Sequence, residues 1–118
     1  MFNFFKQDGN KEYYTKMLCS RVMHDSTLIS EIEELVNNGA DVNAEVDNCG
    51  LIYGGKRSVI INAIITNLIN HGKHNQIVKY LMIKGAIIDT KKLNIALDLI
   101  RHAGYTIEVD EFRKNMKG

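Results

Sequence analysis

The chain has 118 residues, with 15 basic and 14 acidic side chains and a formal net charge of +1. This length suits one domain with a real core, and the balanced charge excludes the strong basic field of a general nucleic-acid or anionic-membrane binder. No apolar run approaches the ~18 residues that a membrane-spanning helix needs. Cys19 and Cys49 have neither disulfide-framework nor metal-site spacing. A reducing compartment is therefore expected, namely the cytoplasm of the producing cell or of a host cell.

A first helix pair is predicted over residues 11–39, after a short lead-in over residues 1–10. Helical spacing of apolar residues indicates one helix from Lys11 to His24. The side chains of residues 25–27 offer N-caps for a second helix. That helix carries one apolar face: Leu28, Ile29, Ile32, Leu35 and Val36. It ends at Gly39, since a helix commonly stops where a left-handed backbone costs glycine little.

Residues 40–57 lose the helical period and are interpreted as an extended finger, either a β-hairpin or an irregular loop. Turn-forming residues surround the short apolar run 51–53, in a place where a loop should be polar. Lys56 and Arg57 border that run with positive charge. An aromatic side chain beside arginine is typical of an interface hot spot. The alternative is that Tyr53 folds back onto the helices as part of the core.

A second helix pair is predicted over residues 58–85 and a C-terminal capping pair over residues 90–117. Ser58 is the expected N-cap of the third helix, and Gly85 ends the fourth. Three polar residues spaced four apart form a stripe on the otherwise apolar third helix: Asn62, Thr66 and Asn70. The stripe is either an ordinary exposed seam or a recognition surface. The capping pair is predicted to comprise helices from Thr90 to His102 and from Val109 to Met116.

Two stretches of the chain are near-copies of each other, LVNNGADVNA at 35–44 and LMIKGAIID at 81–89. Each is an apolar helical stripe, then Gly-Ala, then a short extended run, which indicates one structural unit used twice. The first resembles the end of an ankyrin repeat, LLxxGADVNA, most closely from Gly39 to Ala44. Looser matches to the family pattern lie at 47–50 followed by 58–63, and at 72–86.

The chain also departs from the ankyrin pattern. Val59 and Ile61 stand where the family's TPLH motif has proline and histidine. Gly39 and Gly85 are 46 residues apart, against a period of ~33 for ankyrin repeats. The surplus falls in the finger and in a lengthened third helix and turn. Because about three repeats are needed to cover each other's apolar faces, the end pairs are expected to act as caps.

The resemblance implies an all-α, ankyrin-like α-solenoid of about three stacked helix pairs, with the finger between the first and second pairs. It implies a protein–protein interaction module that has no catalytic activity and no cofactor. Ankyrin-like proteins bind another protein through their fingertips and the concave face. On this chain that implies the finger residues Asn48, Leu51, Tyr53, Lys56 and Arg57, and the helix residues Asn62, Thr66 and Asn70. A stand-alone bacterial, phage or viral inhibitor or effector would fit this size.

Three alternatives concern chemistry. Cys19 and His24 lie five apart on one predicted helix and so point about 140° apart, which does not suit a nucleophile–base pair. His71 and His74 supply two nitrogen ligands, but a zinc site needs at least one more, and none is close in sequence. The run 54–58 precedes a helix and could cradle a phosphate or nucleotide, although it lacks the full P-loop spacing.

Two further alternatives concern partners. A nucleic-acid-binding accessory protein would need a contiguous basic face, whereas the basic residues here are scattered among acidic ones. A homodimer is compatible with the small number of repeats, because terminal units leave apolar surface poorly covered. Phe2, Phe4 and Phe5 at one end, and Phe112 and Met116 at the other, would supply that surface.

Overall fold

The computed structural model describes residues 8–47 and 56–117 and is mostly helical, in agreement with the all-α prediction. Its elements are α1 Asp8–Arg21, α2 Ile29–Asn37, β1 Glu45–Asp47, β2 Lys56–Ser58, α3 Val59–Ile69, α4 Asn75–Ile83, α5 Thr90–His102 and α6 Thr106–Lys117. Among these residues, no helix is long and apolar enough to cross a membrane. The finger residues Asn48, Leu51 and Tyr53 and most of the predicted lead-in, residues 1–7, lie outside the described ranges.

The helices contact each other in three consecutive pairs, α1 with α2, α3 with α4, and α5 with α6. The first helices of the pairs contact in order, α1 on α3 and α3 on α5, and the second helices α2 and α4 also contact. The third pair is placed differently, because α6 packs on α3. The molecule is elongated, with principal extents of 50 × 28 × 24 Å.

Helix α3 is the centre of the core. It contacts α1, α4, α5, α6 and β2, and its residues 59–66 are all buried. Since most of those residues are aliphatic, neighbouring elements can pack on every side of the helix, as expected of a helix that is apolar all round. The largest fully buried side chains of the core are Leu18, Ile32, Ile60, Ile61, Leu81, Leu93, Leu97 and Ile100.

Several helix boundaries differ from those predicted. Helix α1 begins and ends three residues earlier than predicted. At its C-terminal end, the hydroxyl of Thr27 donates to the carbonyl of Arg21, the last residue of the helix, at 2.7 Å. The predicted N-cap from residues 25–27 is wrong, because Leu28 is the N-cap residue of α2. A leucine side chain cannot accept a hydrogen bond from the first N–H groups of the helix. At this N-terminus the hydrogen bond runs from backbone to side chain instead, because the backbone N–H of Leu28 donates to the Glu31 carboxylate at 2.9 Å. Helix α5 has the predicted bounds, and α6 begins three residues early.

The described base of the finger is a β-hairpin and not an irregular loop. Strands β1 and β2 are antiparallel, with Glu45 opposite Ser58, Val46 opposite Arg57 and Asp47 opposite Lys56. The backbone N–H of Val59 donates to the carbonyl of Ala44 at 3.0 Å and carries the pairing to the first residue of α3.

Both glycine stops have the left-handed backbone that the sequence predicts, with φ +106° at Gly39 and +97° at Gly85. In each turn the N–H of the following alanine donates to a carbonyl five residues back, at 3.1 Å for Ala40 and 3.0 Å for Ala86. This is the Schellman arrangement that satisfies the last carbonyls of a helix. Gly104 ends α5 with the same left-handed backbone, at φ +117°, and the N–H of Tyr105 donates to the carbonyl of Ile100, five residues back. This third glycine stop was not predicted.

The two near-copies are joined by one side chain. The Asn43 amide donates to the carbonyl of Gly85 at 3.0 Å, and its oxygen accepts the backbone N–H of Ile87 at 2.8 Å. Asn43 itself is held by Asp41, whose carboxylate accepts the Asn43 backbone N–H at 2.9 Å. The two turns therefore lie side by side, in contact through a two-point hydrogen bond.

Candidate functional site

The base of the hairpin is fixed to the helices at both strands. The Ser58 hydroxyl accepts the backbone N–H of Ile61 at 3.4 Å, so Ser58 is the N-cap of α3 as predicted. On the other strand, the Glu45 carboxylate accepts from the ammonium group of Lys92 on α5 at 2.6 Å. That hydrogen bond and charge raise the pKa of Lys92. The hairpin thus has a defined position relative to α3 and α5.

The two described finger residues have different environments. Lys56 is exposed, as expected of a contact residue, whereas Arg57 is only 6% exposed. Placing Arg57 on an exposed fingertip is therefore wrong. Successive side chains of a strand point to opposite faces, so Lys56 turns to solvent and Arg57 turns inward. Burial lowers the pKa of the Arg57 guanidinium group.

The polar stripe on α3 is also buried, with Asn62 at 4% and Thr66 and Asn70 at 7% exposure. The expectation that these three side chains form an exposed recognition surface is wrong. The physical reason is the central position of α3, which other elements surround. Its polar groups are satisfied inside the protein instead: the Thr66 hydroxyl donates to the Asn62 carbonyl at 2.9 Å.

The stripe continues one step further, to His74 at the start of α4. The Asn70 oxygen accepts the backbone N–H of Lys73 at 3.1 Å, which orients the Asn70 amide nitrogen toward His74 Nδ1 at 2.8 Å. Because an amide N–H₂ can only donate, Nδ1 must accept, and the proton of the neutral imidazole lies on Nε2. Asn67 completes the turn by accepting the backbone N–H of His74 at 2.8 Å.

His74 is fully buried and is held neutral. Burial lowers its pKa, while the backbone of His24 and the carboxylate of Asp25 act weakly in the opposite direction. Its Nε2 forms no hydrogen bond of good geometry to a described residue, although the backbone of His24 lies close enough to favour the protonated ring. The sequence pattern that indicates this network is the four-residue spacing of its polar residues: Asn62, Thr66, Asn70 and His74. The sequence-based prediction included the first three and not His74.

The structure supports neither a Cys19–His24 nucleophile–base pair nor a metal site at His71 and His74. Burial raises the pKa of the Cys19 thiol, which disfavours the nucleophilic thiolate, and His24 is exposed. His71 is exposed while His74 is enclosed. Within residues 8–47 and 56–117, no group of three or more His, Cys, Asp or Glu side chains is placed to hold a metal ion.

The anion-binding alternative depends on residues 54–58. Gly54 and Gly55 lie outside the described residues, so that alternative stays a prediction. Of the remainder, the Ser58 hydroxyl is engaged as the N-cap of α3 and Arg57 is buried. Only Lys56 is exposed and available to an anion at this helix end.

Comparison with known proteins provides no relative for this chain. No protein-family model, no curated protein and no solved structure matches it. Three features of the structure therefore bear on function: the joined glycine turns, the hairpin base held against the helices and the exposed Lys56 beside it.

Proposed function

We propose that this protein is a non-enzymatic, ankyrin-like interaction module that binds another protein through its hairpin. In this proposal the three helix pairs form a short solenoid whose third pair is a modified cap. Two observations support the solenoid: the joined turns at Gly39 and Gly85, and the contacts of α1 with α3 and of α3 with α5. The contact residues are Lys56 and the tip residues Asn48, Leu51 and Tyr53.

The observation that carries the proposal is the fixed base of the hairpin. Glu45 forms a surface ion pair with Lys92 of α5, and Ser58 caps α3, so both strands that lead into the connection 48–55 contact helices. A contact segment with fixed ends loses less conformational freedom on binding than a free loop would. The composition of that segment, apolar and aromatic residues beside Lys56, is that of an interface centre.

The described titratable groups with burial-shifted pKa values support a role without catalysis. Burial disfavours the charged form of four described groups: Cys19 on α1, Arg57 on β2, His74 at the start of α4 and Tyr80 on α4. None of the four lines the cleft between α1 and α2 or the groove beside α6. Perturbed groups that serve catalysis are instead expected to converge in one cleft that substrate can reach.

A capture experiment tests the proposal with matched surface variants. The tip variant combines Leu51→Ser, Tyr53→Ala and Lys56→Ala, and the control variant combines Met82→Ala, Ile83→Ser and Lys84→Ala at the exposed end of α4. Each protein is immobilised and used to capture proteins from the native host, with quantitative mass spectrometry. The tip variant should retain about thirtyfold less of the main partner than wild type, and the control should retain it fully.

Stability measurements separate a contact residue from a structural one. The tip variant should melt within a few degrees of wild type, since in this proposal its three side chains contact the partner and are not part of the core. Arg57→Ala should lower the melting temperature, because Arg57 is buried at the hairpin base. For that reason Arg57 is excluded from the binding variant. A tip variant that loses stability and still captures the partner would show that the tip is part of the core, and the proposal would then be wrong.

A further inference from the structure

A second surface, on the side of the molecule formed by α4 and α6, has the features of a binding groove. Its volume is about 500 Å³, within the usual range for ligand sites. The apolar lining comes from Ile64, Leu68, Val78 and Phe112, with Ile107 at the rim and 71% exposed. An exposed isoleucine continuous with an apolar groove gives a partner hydrophobic area to cover.

The groove follows from the altered packing of the third pair. In the first two pairs the second helices pack directly, α2 on α4. In the third pair α6 packs on α3 and α5, and the groove opens between α6 and the N-terminal part of α4. The space is therefore lined by residues of α3, α4 and α6, and a groove between helices is a setting in which an additional helix can lie.

Two carboxylates give the groove negative charge, and no described basic side chain is paired with either of them. Glu108 and Glu111 line the groove, and neither forms an ion pair among the described residues. Their neighbour on the same helix, Asp110, is paired with Arg101 at 2.9 Å. Glu108 lies in the first turn of α6, where a carboxylate favours the helix end. Glu111 lies beyond that turn and has no such structural role.

The polar groups form a row. Glu108, Glu111 and Asn115 all line the groove and follow helical spacing, so the row is about 10 Å long at 1.5 Å per residue. The Asn75 side chain faces the same groove from α4. Two carboxylates one turn apart match basic side chains spaced three or four residues apart on a second helix. An extended row of this kind fits a linear protein segment better than a compact ion.

We propose that this groove binds an amphipathic, basic α-helical segment of a partner protein. Apolar side chains of that segment would cover Ile107 and Phe112, and its arginines or lysines would pair with Glu108 and Glu111. The inference rests on the proposed function only in that both involve a protein partner. No described hairpin residue lines the groove, and purified components test it without knowledge of the natural partner.

The probe is a synthetic helical peptide of about four turns, with leucines at i, i+3, i+4 and i+7 and arginines flanking that face. Two control peptides accompany it: one has glutamates in place of the arginines, and the other has the same composition in scrambled order. Binding is measured by calorimetry at low and high salt. Backbone amide shifts, measured by NMR on the labelled protein, locate the site. The arginine peptide should shift residues 67–75 and 107–115, and salt should weaken its binding.

Two matched pairs of variants test the groove residues. Glu108→Gln with Glu111→Gln should weaken peptide binding about fivefold at low salt, while Glu33→Gln with Glu34→Gln on α2, which changes net charge equally, should not. Ile107→Ser should weaken binding about tenfold, whereas Ile95→Ser, an equally exposed isoleucine on α5, should leave it unchanged. The hairpin tip variant should bind the peptide as wild type does.

Several results would overturn the inference. They are no peptide binding, equal binding of the glutamate peptide, or amide shifts centred on the other cleft, between α1 and α2, which is lined by Tyr13, Tyr14 and Glu34. Sedimentation showing a homodimer that Ile107→Ser dissociates would assign the groove to a second copy instead. Failure here with hairpin-dependent capture intact would refute only the groove. Peptide binding without hairpin-dependent capture would refute only the hairpin.

Discussion

The two glycine turns, 39–43 and 85–89, end their helices in the same way and then differ. Residues 41–44 form a further turn, in which the Ala44 N–H donates to the Asp41 carbonyl at 3.3 Å, whereas residues 86–89 do not. Both end a helix with a positive-φ glycine followed by a buried or half-buried alanine. The last residue is asparagine in the first turn and aspartate in the second. Asn43 bridges to the second turn through both a donor and an acceptor. Asp89, which can only accept, caps α5 through the N–H groups of Lys91 and Lys92 at 3.0 and 3.2 Å.

The difference between Asn43 and Asp89 corresponds to the element that follows each turn: β1 after the first and α5 after the second. After Asn43, whose side chain faces the neighbouring turn, the backbone continues extended into β1 and the hairpin. After Asp89, whose carboxylate satisfies the first free N–H groups of a helix, the chain enters α5 at once. The glycine therefore sets the end of one helix, and the residue four positions later determines how the next element begins.

The largest loss of stability is expected at the α3–α4 connection. It serves as a comparison for the two glycine turns, because a buried side-chain hydrogen bond and not only a backbone turn stabilises it. Asn70→Ala should cost about 3 kcal/mol in the free energy of unfolding, because it leaves His74 Nδ1 buried without a donor. The measurement is chemical denaturation followed by circular dichroism. Asn75→Ala, which changes an exposed asparagine at the first position of α4, is the control and should cost under about 0.5 kcal/mol. Equal costs would contradict the buried network.

The glycine substitutions test whether the two turns are equivalent. Gly39→Val and Gly85→Val should each cost about 2 kcal/mol, since a β-branched residue is strained at positive φ. An added Cβ would meet no atom within 4 Å at either position, so the cost is backbone strain alone and should be similar for both. Asparagine at the same positions should cost about half as much. If only one valine variant is destabilised, the turns are not equivalent.

Reciprocal side-chain swaps test the difference between the turns. Asn43→Asp should cost about 1 kcal/mol, because the donor to the Gly85 carbonyl is replaced by a carboxylate oxygen. Asp89→Asn should change stability by less than about 0.3 kcal/mol, since asparagine is an equally good N-cap. Thermal melts of the two variants, measured side by side, check this prediction. A larger loss for Asp89→Asn would reverse the roles assigned to the two residues.

The last effect develops gradually with pH and distinguishes the α3–α4 connection from the glycine turns. Burial lowers the folded-state pKa of His74, so below its ordinary value of about 6.5 the unfolded state binds the proton more readily. Stability should therefore fall as the pH drops below about 6.5, by at most about 1.4 kcal/mol per pH unit, until the folded-state pKa is reached. Protonation would also place a donor on Nδ1 opposite the Asn70 amide.

Denaturation of wild type, His74→Gln and His71→Gln between pH 7.5 and 5.5 isolates this effect. His74→Gln should lose the histidine-dependent part of the slope, whatever its stability at neutral pH. His71→Gln, which changes an exposed histidine in the same connection, should keep it. A slope that survives in the His74 variant would assign the pH dependence to other groups.

The sequence by itself determined the features that depend on local backbone chemistry. The stops at Gly39 and Gly85 follow from the low cost of positive φ for glycine, and Ser58 was identifiable as a cap because its hydroxyl reaches a backbone N–H three residues on. The three helix pairs followed from the spacing of apolar residues. All these signals act over a few residues and need no knowledge of what lies opposite.

Only the tertiary structure decided which polar residues face solvent. Asn62, Thr66 and Asn70 form a polar stripe by spacing, but a stripe indicates a face without saying what covers it. Here α3 is surrounded by other elements and the stripe is internal. Arg57 followed the same rule, because the hairpin register turned it inward. The groove beside α6 was equally hidden, since it arises from the packing of α6 on α3, a contact between elements far apart in sequence that local residue spacing does not predict.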